Sequence, residues 1–112
     1  MLAFSEQPMH PQSLPDLDLS QQTAEEPPYR VIIHNDDVTP MDFVVHILLQ
    51  IFLLTAPGAV QVMYTAHYRG SAYVQTLPKS EAQNRIHRAH FTASLEGYPL
   101  HFTMEPEGKP VL

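Results

Sequence analysis

Between Tyr29 and Glu105 the apolar positions switch repeatedly between a two-residue and a helical spacing, and each switch marks an element. Tyr29 to His34 is rich in β-branched and aromatic side chains and reads as a strand. From Pro40 to about Leu54 apolar residues cover most of a helical circumference, which predicts a helix buried on more than one side. Thr39 as N-cap, Pro40 at the first helical position and Asp42 three residues after Thr39 form a capping-box pattern that also suits the helix dipole. Thr55 or Pro57 marks a second start. From Ala59 to Tyr68, Val62, Met63, Ala66 and His67 keep helical spacing, and Gly70 supplies the stop. Ala72 to Leu77 predicts a strand. After Pro78, Ser80 is expected to cap a third helix that turns Ile86, Ala89 and Ala93 inward and Arg85 and Arg88 outward, with Gly97 closing it. Leu100 to Glu105 alternates through Phe102 and Met104 as a last strand.

The resulting order, β-α-α-β-α-β, lacks the strict alternation of a doubly wound sheet. It predicts a single small α+β sandwich, a three-stranded antiparallel sheet with three helices on one face. A chain of 112 residues with 44% hydrophobic content supports one modest core. Residues 1–28 hold five prolines, five acidic residues and no lysine or arginine. Such a mix cannot offset its own ordering entropy and is expected to form a flexible acidic tail. Leu14, Leu17 and Leu19 are its one candidate contact motif, although scattered leucines in a tail usually have no such role. The core is expected over 29–105, with 106–112 a frayed end.

Charge narrows the functions further. Twelve acidic against six basic residues leave a formal charge of −6, which opposes the phosphate neutralisation that drives nucleic-acid binding. Without cysteine there are no disulfides and no thiolate metal sites, which suits a reducing compartment. Met1 to Glu6 lacks a basic n-region, and no arginine precedes Arg30, so neither a secretory signal nor an organelle transit peptide is expected. His46, Gln50, Thr55, Pro57, Gly58 and Gln61 interrupt the apolar stretch from Val44 to Val62, which therefore reads as two packed helices rather than a membrane span. A cytoplasmic protein with no membrane partner is expected.

Asn35, Asp36 and Asp37 form the only concentrated polar cluster, and His67 lies one helix away. Three readings of it stand side by side. Asn35 and Asp36 make a turn by bonding their own backbone. Alternatively Asp36, Asp37 and His67 hold a metal in a small hydrolase, although no HExxH or comparable spacing supports this and no cofactor is expected. His87 and His90 share a helix face, yet with His34, His46 and His101 elsewhere they read as ordinary surface or half-buried histidines. Ser71, Ser80 and Ser94 lack a nucleophile elbow or a neighbouring base, so catalysis has no positive support. In the third reading Asn35, Asp36 and His67 converge on the three donors of a peptide α-amino group, and Met41 and Met63 line an adaptable apolar slot beside it.

At these residues the chain resembles a family. Asn35-Asp36-Asp37-x-Thr39-Pro40-Met41-Asp42-Phe43-Val44, then Met63-x-x-x-His67-Tyr68-x-Gly70 and Pro99-Leu100, are similar to ClpS, whose members bind destabilising N-terminal residues and hand those substrates to a Clp AAA+ unfoldase and its protease. The resemblance covers about residues 28–105. It implies α-amino ligands at Asn35 and His67 with Asp36 assisting, and a hydrophobic pocket walled by Thr39, Met41, Val44, Met63 and Leu100. Ala66 stands where many relatives carry a bulkier β-branched residue, which implies a wider slot. Docking on the unfoldase is implied around the third helix, with Arg85 at an expected basic position and Glu81 beside Ser80, where relatives carry an acid. The resemblance thus implies a non-enzymatic, monomeric adaptor without a cofactor. It would present Leu, Phe, Tyr or Trp N-termini to a ClpA- or ClpC-type unfoldase, which engages the tail during delivery. A regulator that docks on the unfoldase without capturing substrates is the alternative, followed by the metal-dependent hydrolase.

Overall fold

The computed structural model describes residues 26–108. Most of the expected tail, including Leu14, Leu17 and Leu19, and residues 109–112 of the expected frayed end lie outside the described residues. The elements run β1 (Pro28–His34), α1 (Met41–Gln50), α2 (Ala56–Arg69), β2 (Ser71–Pro78), α3 (Lys79–Leu95) and β3 (His101–Pro106). The sheet order is β2-β1-β3, with both pairings antiparallel. The α+β architecture expected from the hydrophobic pattern is therefore the one observed.

Alternation along β1 buries Val31 and Ile33 against the helices. The opposite face carries Arg30, which pairs with Glu105 of β3 and lies 4.9 Å over the Tyr73 ring of β2. Ala72 and Val74 are buried, and between Tyr73 and Gln75 the register slips by one residue, a bulge that sets Gln75 opposite the buried Val31. Phe52 and Phe102, both fully buried, stack at 4.9 Å in the centre. The apolar breadth expected of the first helix is real: Val44, Ile47 and Leu48 are buried, Val45 and Leu49 half-buried, and Phe43 meets Tyr98 edge-on at 4.9 Å. On α3, Ala82, Ile86, Ala89 and Ala93 form the core face. No helix among the described residues is long and apolar enough to cross a membrane.

Four local expectations are corrected. Pro40, not Thr39, is the N-cap of α1 and makes no side-chain cap bond, because the Thr39 hydroxyl is drawn back to Asp36. α1 stops at Gln50, four residues early, where Leu53 turns left-handed (φ 59°) and the Leu54 amide folds back to the Leu48 carbonyl. Ser80 does not cap α3: the helix starts at Lys79 directly after Pro78, and the Ser80 amide and hydroxyl donate at 2.7 and 2.8 Å to the two carboxylate oxygens of Glu26. Arg85 turns inward, donating to Glu81 (2.8 Å), to Gln75 Oε1 (3.2 Å) and to the Phe52 carbonyl (3.4 Å), whereas Arg88 is exposed as expected.

Candidate functional site

The loop from Asn35 to Pro40 is shaped by one carboxylate. Asp36 Oδ1 accepts the N–H groups of Val38 (2.8 Å) and Thr39 (2.7 Å), and Oδ2 accepts the Thr39 hydroxyl (2.9 Å). The turn reading of Asp36 is thus correct as far as it goes. Partial burial of Asp36 pushes its proton affinity up, but the bonds from Thr39 and Val38 together outweigh burial and hold it below the usual carboxylate range.

A second tie brings this loop to α2. Gly70, left-handed at φ 96°, ends α2 by donating its N–H to the Ala66 carbonyl at 2.8 Å, and its own carbonyl accepts the Asn35 N–H at 2.9 Å. Asn35 is thereby held beside the last turn of α2, which carries His67. Among the described residues neither the Asn35 side-chain amide nor the His67 imidazole has a hydrogen-bond partner. The His67 ring only meets Tyr68 edge-on at 4.9 Å.

Between loop and helix lies a cavity of about 320 Å³, the lower end of the usual range for small-ligand sites. Asn35, Asp36 and His67 form its polar side. Thr39, Met41, Val44, Met63, Ala66 and Leu100 line the rest, so all nine binding residues named from sequence meet in one place. Val44, Met63, Ala66 and Leu100 are buried and form its inner walls, while Met41 is 40% exposed. Ile33, His34, Asp37, Val38 and Pro40 complete the lining. Sequence reasoning missed Ile33 and His34, although their position immediately before Asn35 was a usable signal.

The arrangement offers unpaired polar groups at one edge of an apolar cavity, chemistry suited to holding a group that is both ammonium and hydrophobe. Among the described residues no group of three or more His, Cys, Asp or Glu side chains is placed to hold a metal ion, so Asp36, Asp37 and His67 do not form a ligand set. Arg85 and Glu81, implied by the resemblance as docking residues, lie on α3 outside this cavity.

Known proteins carry the same architecture. Residues 24–103 match the profile of the family described as ATP-dependent Clp protease adaptor protein ClpS. The chain is 41% identical over 93 residues to the ATP-dependent Clp protease adapter protein ClpS 2 of Mesorhizobium japonicum, spanning 83% of this chain and 92% of that one. It is 39% identical over 95 residues to ClpS of Vibrio cholerae serotype O1, spanning 81% and 90%. Among solved structures, Agrobacterium tumefaciens ClpS2 bound to L-phenylalaninamide superposes with a TM-score of 0.70 at 36% identity, covering 74% of this chain and all of that one. The chain therefore belongs to the ClpS family of ATP-dependent Clp protease adaptors.

Proposed function

We propose that the cavity beside Asn35 and His67 captures proteins that begin with Leu, Phe, Tyr or Trp. The family role is that of a non-catalytic adaptor delivering N-degron substrates to Clp protease. The observation that carries the assignment of residues is the juxtaposition of the Asn35 and His67 side chains with an apolar wall. The related Agrobacterium structure holds a ligand with one free α-amine and one phenyl side chain, the combination these walls suit.

Magnitudes explain why both halves are needed. Burying a Leu or Phe side chain contributes about 1.5–3 kcal/mol, whereas a micromolar complex needs about −8 kcal/mol. Charge-assisted bonds to the ammonium from Asn35 and His67, with the Asp36 charge close by, supply what the slot cannot. Internal Leu or Phe residues lack the free amine and are ignored. His67 accepts from the ammonium only as a neutral imidazole.

Delivery is assigned to a ClpA- or ClpC-type unfoldase docking around the start of α3. There Glu81 is ion-paired with Arg85, and Glu26 brings a further carboxylate to Ser80, where the resemblance implies an acid. The adaptor acts as a cytoplasmic monomer in this reading.

Fluorescence anisotropy with one labelled peptide sequence tests capture. The Leu-starting form is expected to bind, and the N-acetylated and Met-starting forms to bind much more weakly or not at all. Equal binding of the acetylated peptide would refute the assignment of Asn35 and His67, and no binding of any form would favour a regulator that docks without capturing.

A further inference from the structure

Four of the seven histidines gather at one end of the sheet. His34 ends β1, His101 begins β3, and His87 and His90 lie one turn apart on α3. The His90 and His101 rings stack at 5.5 Å with planes 8° apart, and His34 follows 5.4 Å beyond His101. His90 Nε2 accepts the N–H of Phe102 at 2.9 Å, which requires a neutral ring with its proton on Nδ1. His34 Nε2 is hydrogen-bonded to the Thr103 hydroxyl at 2.8 Å. Two of the neighbouring residues belong to the cavity: His34, which precedes Asn35, and Leu100, two residues before Phe102.

We infer that His90 is a positioning residue for N-terminus capture: as a neutral acceptor it holds the first turn of chain into β3, and with it the Leu100 wall, and its protonation loosens both. The inference rests on the capture reading of the cavity. Protonation would turn the acceptor into a donor facing another donor, the Phe102 N–H. No opposite charge compensates. The groups that bear on His90 are His101 from β3, with His34 of β1 behind it, and His87 on its own helix; among the described residues β2 adds none, and there is no carboxylate. Burial chiefly, then His101 and His87, lower the proton affinity of His90, so the tie persists above the ordinary histidine range and fails as pH falls through the lowered value.

His90→Gln separates the roles, because a glutamine carbonyl accepts the same N–H and does not titrate. With a Phe-starting peptide, the wild type should lose roughly fivefold more affinity than the variant as pH is lowered from about 7 until the His90 ring is seen to protonate. Acid curves that run parallel would overturn this inference alone. Failure of both proteins to bind any free-amine peptide at neutral pH would overturn the capture reading, and this inference with it. NMR of the wild type provides a check that does not depend on the variant folding. The Phe102 amide resonance should move as the His90 ring protonates, and an amide resonance that stays put while the ring protonates refutes the tie.

Discussion

Asp36 carries two readings, and its geometry displays one of them. The resemblance implies that it helps an ammonium, and its geometry shows that both oxygens already bond Val38 and Thr39. Its charge remains near the cavity while its lone pairs hold the loop. Asp36→Ala is expected to lower stability by about 1 kcal/mol, a small value for charge-assisted bonds because the loop is open to solvent. Since folding depresses the proton affinity of Asp36, that contribution is complete above the ordinary carboxylate pKa of about 4 and disappears as pH falls through the lower folded value. Urea titrations of wild type and variant should therefore converge in strong acid. Met41 tests the other half of the site. Partly exposed on the cavity lining, it can crowd a Cβ branch at the entrance. Met41→Ala should relax discrimination against Ile- and Val-starting peptides more than it weakens Leu binding, measured as a ratio of dissociation constants; equal losses for all three would make Met41 ordinary core.

The elements repay a different kind of scrutiny, because their existence was legible in the sequence and only some of their ends were. Gly70 was the clearest signal, and it stops α2 in the left-handed conformation expected of it. What the sequence could not display is that its carbonyl then receives the Asn35 amide, a contact between residues 35 positions apart. Gly70→Ala meets no steric obstacle at Cβ, yet must hold φ near 96°. It should cost about 1–2 kcal/mol by thermal denaturation and weaken peptide binding further by shifting Asn35 relative to His67. The capping box failed because Asp36 competed for Thr39, and the third-helix cap failed because a residue 54 positions earlier, Glu26, claimed Ser80. Leu53 adopts the left-handed region without being glycine, which is why nothing in its identity announced the end of α1. Local propensity rules describe a helix terminus in isolation, and the start of α3 was decided by a partner far away in the chain.

Across the whole molecule, the alternation within β1 and β3 and the helical spacing of α3 were enough to anticipate the architecture, because one apolar face per element leaves few ways to close a core. The antiparallel order β2-β1-β3 places Phe102 against Phe52, and Arg85 closes the same region by reaching Gln75 and the Phe52 carbonyl. Phe52→Ala should destabilise the protein by about 3–5 kcal/mol, a large share of the 5–15 kcal/mol typical of a domain, and calorimetry would report it as a marked fall in melting temperature. The lining of the cavity was legible for a related reason: its nine named residues fall in short stretches beside three turns, and closing the core brings those stretches together.

The central place of β1 carries a mechanical consequence. The chain enters the domain directly into a strand zipped on both sides, with Pro28 opposite Pro78 on one flank and Tyr29 opposite Pro106 on the other. Traction applied ahead of Pro28 must slide two ladders at once instead of peeling a single edge. A pull on the leading segment would thus load both ladders of the sheet before any helix feels it.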